Sequence, residues 1–187
     1  HYFNSFDVPN LDLPQNGQIK IIVSHVISAN EFYIRINGFR NENNFSSWNA
    51  NFLTFDIIQP KLIELKEKVL AGQVKYITLN ELKQNEIYGI DIRDKVQRCK
   101  IVEILKDDDS FSFYEEEKTS KTIRIFCIDY GHEIITQSRN LFHLPNQFKQ
   151  YHDFAYKAYL FGIIPSDNES EWDYKASCNL FQIIDYG

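Results

Sequence analysis

Ten consecutive residues, Ile125 to Ile134 (IFCIDYGHEI), place the tightest constraint on what this chain can fold into. Ile125, Phe126, Cys127 and Ile128 favour extended backbone on a half-buried surface. Asp129-Tyr130-Gly131-His132 is turn chemistry, because glycine accepts positive φ without steric cost and aspartate bonds nearby backbone amides. Glu133, Ile134 and Ile135 resume the extended run. The segment therefore predicts a β-hairpin with Tyr130 and His132 displayed at or beside its bend. Taken alone, such a hairpin also suits a tyrosine that only caps a core, so the flanking sequence has to decide.

Upstream, Glu86 to Glu103 (EIYGIDIRDKVQRCKIVE) supplies two β-prone runs around the polar turn Arg93-Asp94-Lys95. Downstream, Ser138 to Pro145 (SRNLFHLP) supplies a short apolar turn that closes the unit. Farther out, a strand is expected to begin at Ile19. Leu62, Ile63, Leu65, Val69 and Leu70 recur at helical spacing, which predicts a helix over Gln59 to Ala71 with Pro60 in its first turn and Gly72 as its stop. Asn37 to Asn51 is rich in asparagine and serine and predicts a loop, anchored by Phe45 and Trp48. The first eighteen residues, with Pro9, Pro14 and Gly17, predict a surface wrap. Lys106 to Lys121 (KDDDSFSFYEEEKTSK) is longer than a tight hairpin needs. It reads either as a solvated acidic loop or as a carboxylate-rich attractor for an arginine-rich peptide.

Composition narrows the functional classes. A net charge of −6 and an isoelectric point near 5.4 argue against nonspecific nucleic-acid binding, which draws its affinity from a basic face that displaces counterions. A cationic ligand is the better electrostatic match. The three cysteines, Cys99, Cys127 and Cys178, lie far apart without C-x-x-C spacing, so they suggest neither a disulfide framework nor a zinc site. That usage fits a reducing compartment. No apolar run approaches the roughly 20 residues that span a bilayer, and the polar amino terminus lacks a signal-peptide pattern. With no methionine, the chain is expected to be a module from within a longer multidomain protein.

The combined pattern resembles the Tudor domain, and specifically the extended Tudor domain of germline small-RNA (piRNA) pathway proteins. Arg98-Cys99 stands where that family has an aromatic-Arg-Ala-like step, Asp129-Tyr130-Gly131-His132 where it has Asp-Tyr-Gly-Asn, and Leu141 to Pro145 where it has a leucine-proline closure. Ile19 to Ile36 is similar to the opening strands of the outer lobe. Ala155 to Pro165 (AYKAYLFGIIP) and a Trp172-containing helix are similar to the chain's return to it. The resemblance implies an α+β, mainly β fold: a Tudor SH3-like barrel inserted into an OB-type, staphylococcal-nuclease-like lobe, with a linking helix. It divides the chain into 1–84, the amino-terminal part of the outer lobe with the linker helix at about 59–71; 85–145, the barrel; and 146–187, the carboxy-terminal part of the lobe.

The resemblance also implies a site. Family members that bind symmetric dimethylarginine use four aromatic walls and an asparagine, because ring quadrupoles attract the guanidinium cation and methyl groups fill the apolar enclosure. Carried over residue by residue, the turn tyrosine is Tyr130, the wall two residues before the aspartate is Cys127, and the wall before the strand arginine is Gln97. The fourth wall falls on Ile92 or Arg93, depending on a short gap, and the asparagine position is His132. One aromatic wall of four remains, and a cation at Arg93 would repel a guanidinium. Arg98 and Asp129 match the family's arginine and aspartate and are expected to form a structural pair across adjacent strands. The implied function is a noncatalytic scaffold module. It would recognise the arginine-rich amino-terminal tail of a Piwi-class Argonaute without depending on methylation, in the groove between barrel and outer lobe, helped by acidic Asp129 and Glu133. Other piRNA-pathway scaffolds form a second partner class, no cofactor or metal is implied, and the expected location is cytoplasmic, at perinuclear germ granules. Two alternatives stand beside it: an OB-type single-stranded RNA-binding or nuclease-like module, and a self-associating architectural domain.

Overall fold

The computed structural model describes residues 17–41, 55–105 and 120–160, together with 172, 175, 176 and 179. The chain forms two compact units, one from His1–Phe55 with His152–Gly187 and one from Asp56–Tyr151, which is inserted in the sequence of the first. The helix at Gln59 falls in the inserted unit.

In the discontinuous unit, β1 (Gly17–Ser28) and β2 (Glu31–Asn41) form a long antiparallel hairpin, and β8 (Tyr156–Tyr159) pairs with the other edge of β2. The turn at Ala29-Asn30 is held by Ser28 Oγ donating to Asn30 Oδ1 (2.9 Å) and by Leu160 N–H donating to Asn30 O (2.9 Å). Phe32, Ile36, Phe55 and Phe154 are buried, and the Phe55 and Phe154 rings meet edge-on at 5.8 Å. The strand β2 extends to Asn41, so Asn37–Asn41 is strand rather than the expected loop. The register explains the difference: Gly17 to Lys20 of β1 give Gly38 to Asn41 backbone partners that outweigh a loop-like composition. The rest of that loop, the first sixteen residues, most of the acidic segment at Lys106 and most of the Trp172 helix lie outside the described residues.

The inserted unit is a five-stranded antiparallel sheet in the order β6-β5-β4-β3-β7. Its strands are β3 (Ile87–Ile92), β4 (Lys95–Ile104), β5 (Thr122–Cys127), β6 (Glu133–Gln137) and β7 (Leu141–His143). The two-residue side-chain period puts Tyr88 and Ile90, Cys99 and Ile101, and Ile123, Ile125 and Cys127 into one buried cluster with Ile77 and Leu141. The β3–β4 connection is a two-residue turn in which Arg93 (φ 48°) and Asp94 (φ 63°) both have positive φ, closed by the pair Ile92 and Lys95. This is the twist-matched hairpin turn. The SRNLFHLP segment, expected as an apolar turn, contains a strand, because Leu141, Phe142 and His143 pair with Ile90, Gly89 and Tyr88.

The helix α1 (Gln59–Leu70) starts with Pro60 in its first turn, packs against β4 and buries Leu62 and Leu65. Its end is a glycine cap: Gly72 N–H donates to Val69 O (3.0 Å) and Gln73 N–H to Lys68 O (2.9 Å), with Gly72 at φ +66°. Nothing lies within 4 Å of a Cβ built there, so the conformation alone demands glycine. Replacing Gly72 with alanine is expected to cost about 1–2 kcal/mol in chemical denaturation, because a Cβ is strained at that φ. Among the described residues no helix is long and apolar enough to cross a membrane.

Candidate functional site

The site is built on a buried ion pair. Arg98, on β4, and Asp129, in the β5–β6 turn, are both fully enclosed. The guanidinium grips the carboxylate with two bonds, Nε to Oδ2 at 3.0 Å and Nη2 to Oδ1 at 2.6 Å. Arg98 Nη1 also donates to Phe148 O (2.9 Å) and Tyr151 O (2.8 Å), which fastens the short helix α2 (Asn146–Lys149) and the residues just after it to β4. A planar fork that matches a carboxylate on one edge and two carbonyls on another is a task for arginine and not for lysine.

That grip shapes the turn. Cys127 O accepts from Tyr130 N–H (3.1 Å) and Gly131 N–H (2.7 Å), Cys127 N–H donates to His132 O (2.9 Å), and Gly131 takes φ +84°. Ile128 N–H donates to Arg98 O (3.1 Å), so both backbone and side chain of Arg98 hold the bend. Tyr130 is half-buried and packs on the inner cluster, and its ring meets that of His132 at 6.1 Å in a tilted arrangement.

The inner face collects some of the expected site residues and leaves others out. Gln97 is 5% exposed, sits opposite Ile90 in register and shares its face with Cys99 two residues on. Cys127 is fully buried in the same cluster, and Ile92 packs against it. Arg93 is exposed in the β3–β4 turn, so of the two positions left open by the sequence Ile92 is the one against the cluster. Asp129 is enclosed and committed to Arg98, which leaves its carboxylate no surface to offer a peptide. Glu133 is exposed and pairs with Arg124 (3.5 Å), which also binds Glu103 (2.6 Å) across the sheet. The carbonyls of Phe148 and Tyr151 were not anticipated as partners of Arg98, since their sequence separation of fifty residues or more carries no local signal.

Neither cysteine of the inner face is poised to react. Burial pushes the Cys127 thiol up to about 12, with the nearby Asp129 charge adding to the effect, and burial also raises Cys99. A thiol needs its anion to attack, so both are inert near neutral pH. In a Cys178→Ser background, labelling of Cys99 and Cys127 by a disulfide reagent at pH 8 is expected to proceed only as fast as the protein opens. Among the described residues, no three His, Cys, Asp or Glu side chains converge as metal ligands.

No protein-family model and no curated protein matches the sequence. Solved structures do match. The extended Tudor domain of Drosophila melanogaster Papi, in complex with an arginine-methylated Piwi N-terminal peptide, aligns with a TM-score of 0.68 at 13% identity, over 89% of this chain and 70% of that one. The same domain with the unmethylated Piwi peptide gives 0.70 at 13% identity, over 89% and 69%. The chain has the extended Tudor fold. A third example of the fold, domain TD3 from mouse TDRD1 in complex with a MILI peptide containing dimethylarginine, gives 0.59 at 13% identity, over 89% and 70%. In extended Tudor terms, the mainly β architecture expected from the sequence is the one observed, and its Asp-Tyr-Gly turn is the bend pinned by Arg98.

Proposed function

We infer that this chain is a noncatalytic peptide-binding module for the arginine-rich N-terminal tail of a Piwi-class Argonaute, and that binding does not require arginine methylation. One observation carries the reading: Ile92, Gln97, Cys127 and Tyr130, the residues that the resemblance offers for the four wall positions, are buried or packed toward the inner cluster and include a single aromatic ring. Each missing ring forfeits a cation–π contact of about 0.5–2 kcal/mol, and with it the apolar enclosure that favours methyl groups. The intact Arg98–Asp129 scaffold and the acidic charge balance support a cationic ligand on this fold. Solved neighbours bound to Piwi-class peptides, one of them unmethylated, support the partner class. Such a partner places the module in the cytoplasm, at perinuclear germ granules. Calorimetric titration with paired tail peptides, differing only in arginine methylation, tests the reading. The unmethylated form is expected to bind at least as tightly as the methylated one.

A further inference from the structure

Among the described residues, Gln97 Oε1 is a buried acceptor with no hydrogen-bond partner, on a side chain only 5% exposed. An unsatisfied buried acceptor is costly, and native proteins keep few of them. Its place is informative. Gln97 faces inward beside Cys99 and opposite Ile90, at a wall position of the candidate site, with Ile92 and Tyr130 packed on the same cluster. Ile90 and Cys99 are buried members of that cluster, and Ile92 and Tyr130 pack against it, so the surroundings of the glutamine are largely apolar and aromatic.

We propose that Gln97 is the specificity-determining residue of this site, its amide oxygen accepting a hydrogen bond from an N–H of an unmethylated arginine guanidinium. The inference rests on the peptide-binding reading above and sharpens its ligand from arginine of either kind to the unmodified side chain. Guanidinium is a donor-only group, and Oε1 is an acceptor in search of a donor. Tyr130 supplies a face for the cation. Symmetric dimethylation replaces one N–H on each terminal nitrogen by a methyl group and leaves the other. A methyl group turned toward Gln97 leaves the acceptor buried and unpaired, whereas turning the remaining N–H toward it forces the methyl group into the packed wall beside it, so either orientation costs the methylated ligand.

The test is a titration of the Piwi N-terminal peptide, unmethylated and symmetrically dimethylated, into the wild-type chain and a Gln97→Met variant. The wild type is expected to prefer the unmethylated peptide by about ten-fold or more. Gln97→Met is expected to lose that preference by weakening the unmethylated peptide alone. An unchanged preference, or equal weakening of both peptides, overturns the assignment of Gln97 and leaves peptide binding standing. Failure of the wild type to bind either peptide overturns the peptide-binding reading and this inference with it. Thermal melting of the free proteins gives an independent check: Gln97→Met removes an unpaired buried acceptor, so its Tm is expected to match or exceed that of the wild type. A clear fall in Tm would mean that the protein itself satisfies Gln97, and would also overturn the proposal.

Discussion

Replacing Arg98 with methionine is expected to destabilise the barrel unit by about 3–5 kcal/mol, because it strands a fully buried carboxylate. Asp129 would lose both of its bonds to the guanidinium, and the carbonyls of Phe148 and Tyr151 would lose a donor at the same time. Against a total stability of about 5–15 kcal/mol for a native domain, that is a large fraction. A urea-denaturation midpoint measures it. The double variant Arg98→Met with Asp129→Leu is expected to recover much of the loss, since exchanging a whole buried pair for apolar groups is often close to neutral. A single variant as stable as the wild type would show that the pair is not the clamp of the turn.

The second large effect lies at Gly89. This residue pairs with Phe142 across β3 and β7, and a Cβ built on it would stand 2.1 Å from Phe142 Cε2 and 2.5 Å from Cζ. Phe142 is 1% exposed, so its ring has little room to retreat. Gly89→Ala is expected to cost about 1–3 kcal/mol by overpacking. The cost should shrink in a Phe142→Leu background, where the ring is gone. A double-mutant cycle reads that coupling, and full additivity of the two changes would refute the steric account.

How much was legible beforehand follows from the length scale of each signal. The β-prone runs in Glu86 to Glu103 and Ile125 to Ile128 marked strands through composition, but which of their residues point inward became visible only in the packing of Tyr88, Ile90, Cys99, Ile101, Ile123, Ile125 and Cys127. Pro60 and Gly72 bracketed α1 for local steric reasons. The strand β7 was hidden because three residues are too few to show a period. The sequence does not separate Ile92 from Arg93, since a gap of one residue exchanges the two faces of a strand; the register ends β3 at Ile92, opposite Lys95, and leaves Arg93 in the turn. Asp129 was assigned two roles, and only its burial against Arg98 shows that they compete for one carboxylate. The unpaired state of Gln97 Oε1 depends on everything packed around it, which no local pattern encodes.

The most direct test of the central claim is isothermal titration of the wild-type chain with one Piwi-tail peptide in two forms, with arginine and with symmetric dimethylarginine. On the proposed reading, in which Ile92, Gln97 and Cys127 stand at three of the four wall positions, the unmethylated peptide is predicted to bind at least as tightly as its methylated counterpart. Methylated peptide binding tighter by about ten-fold or more, equivalent to about 1.4 kcal/mol, would contradict the account.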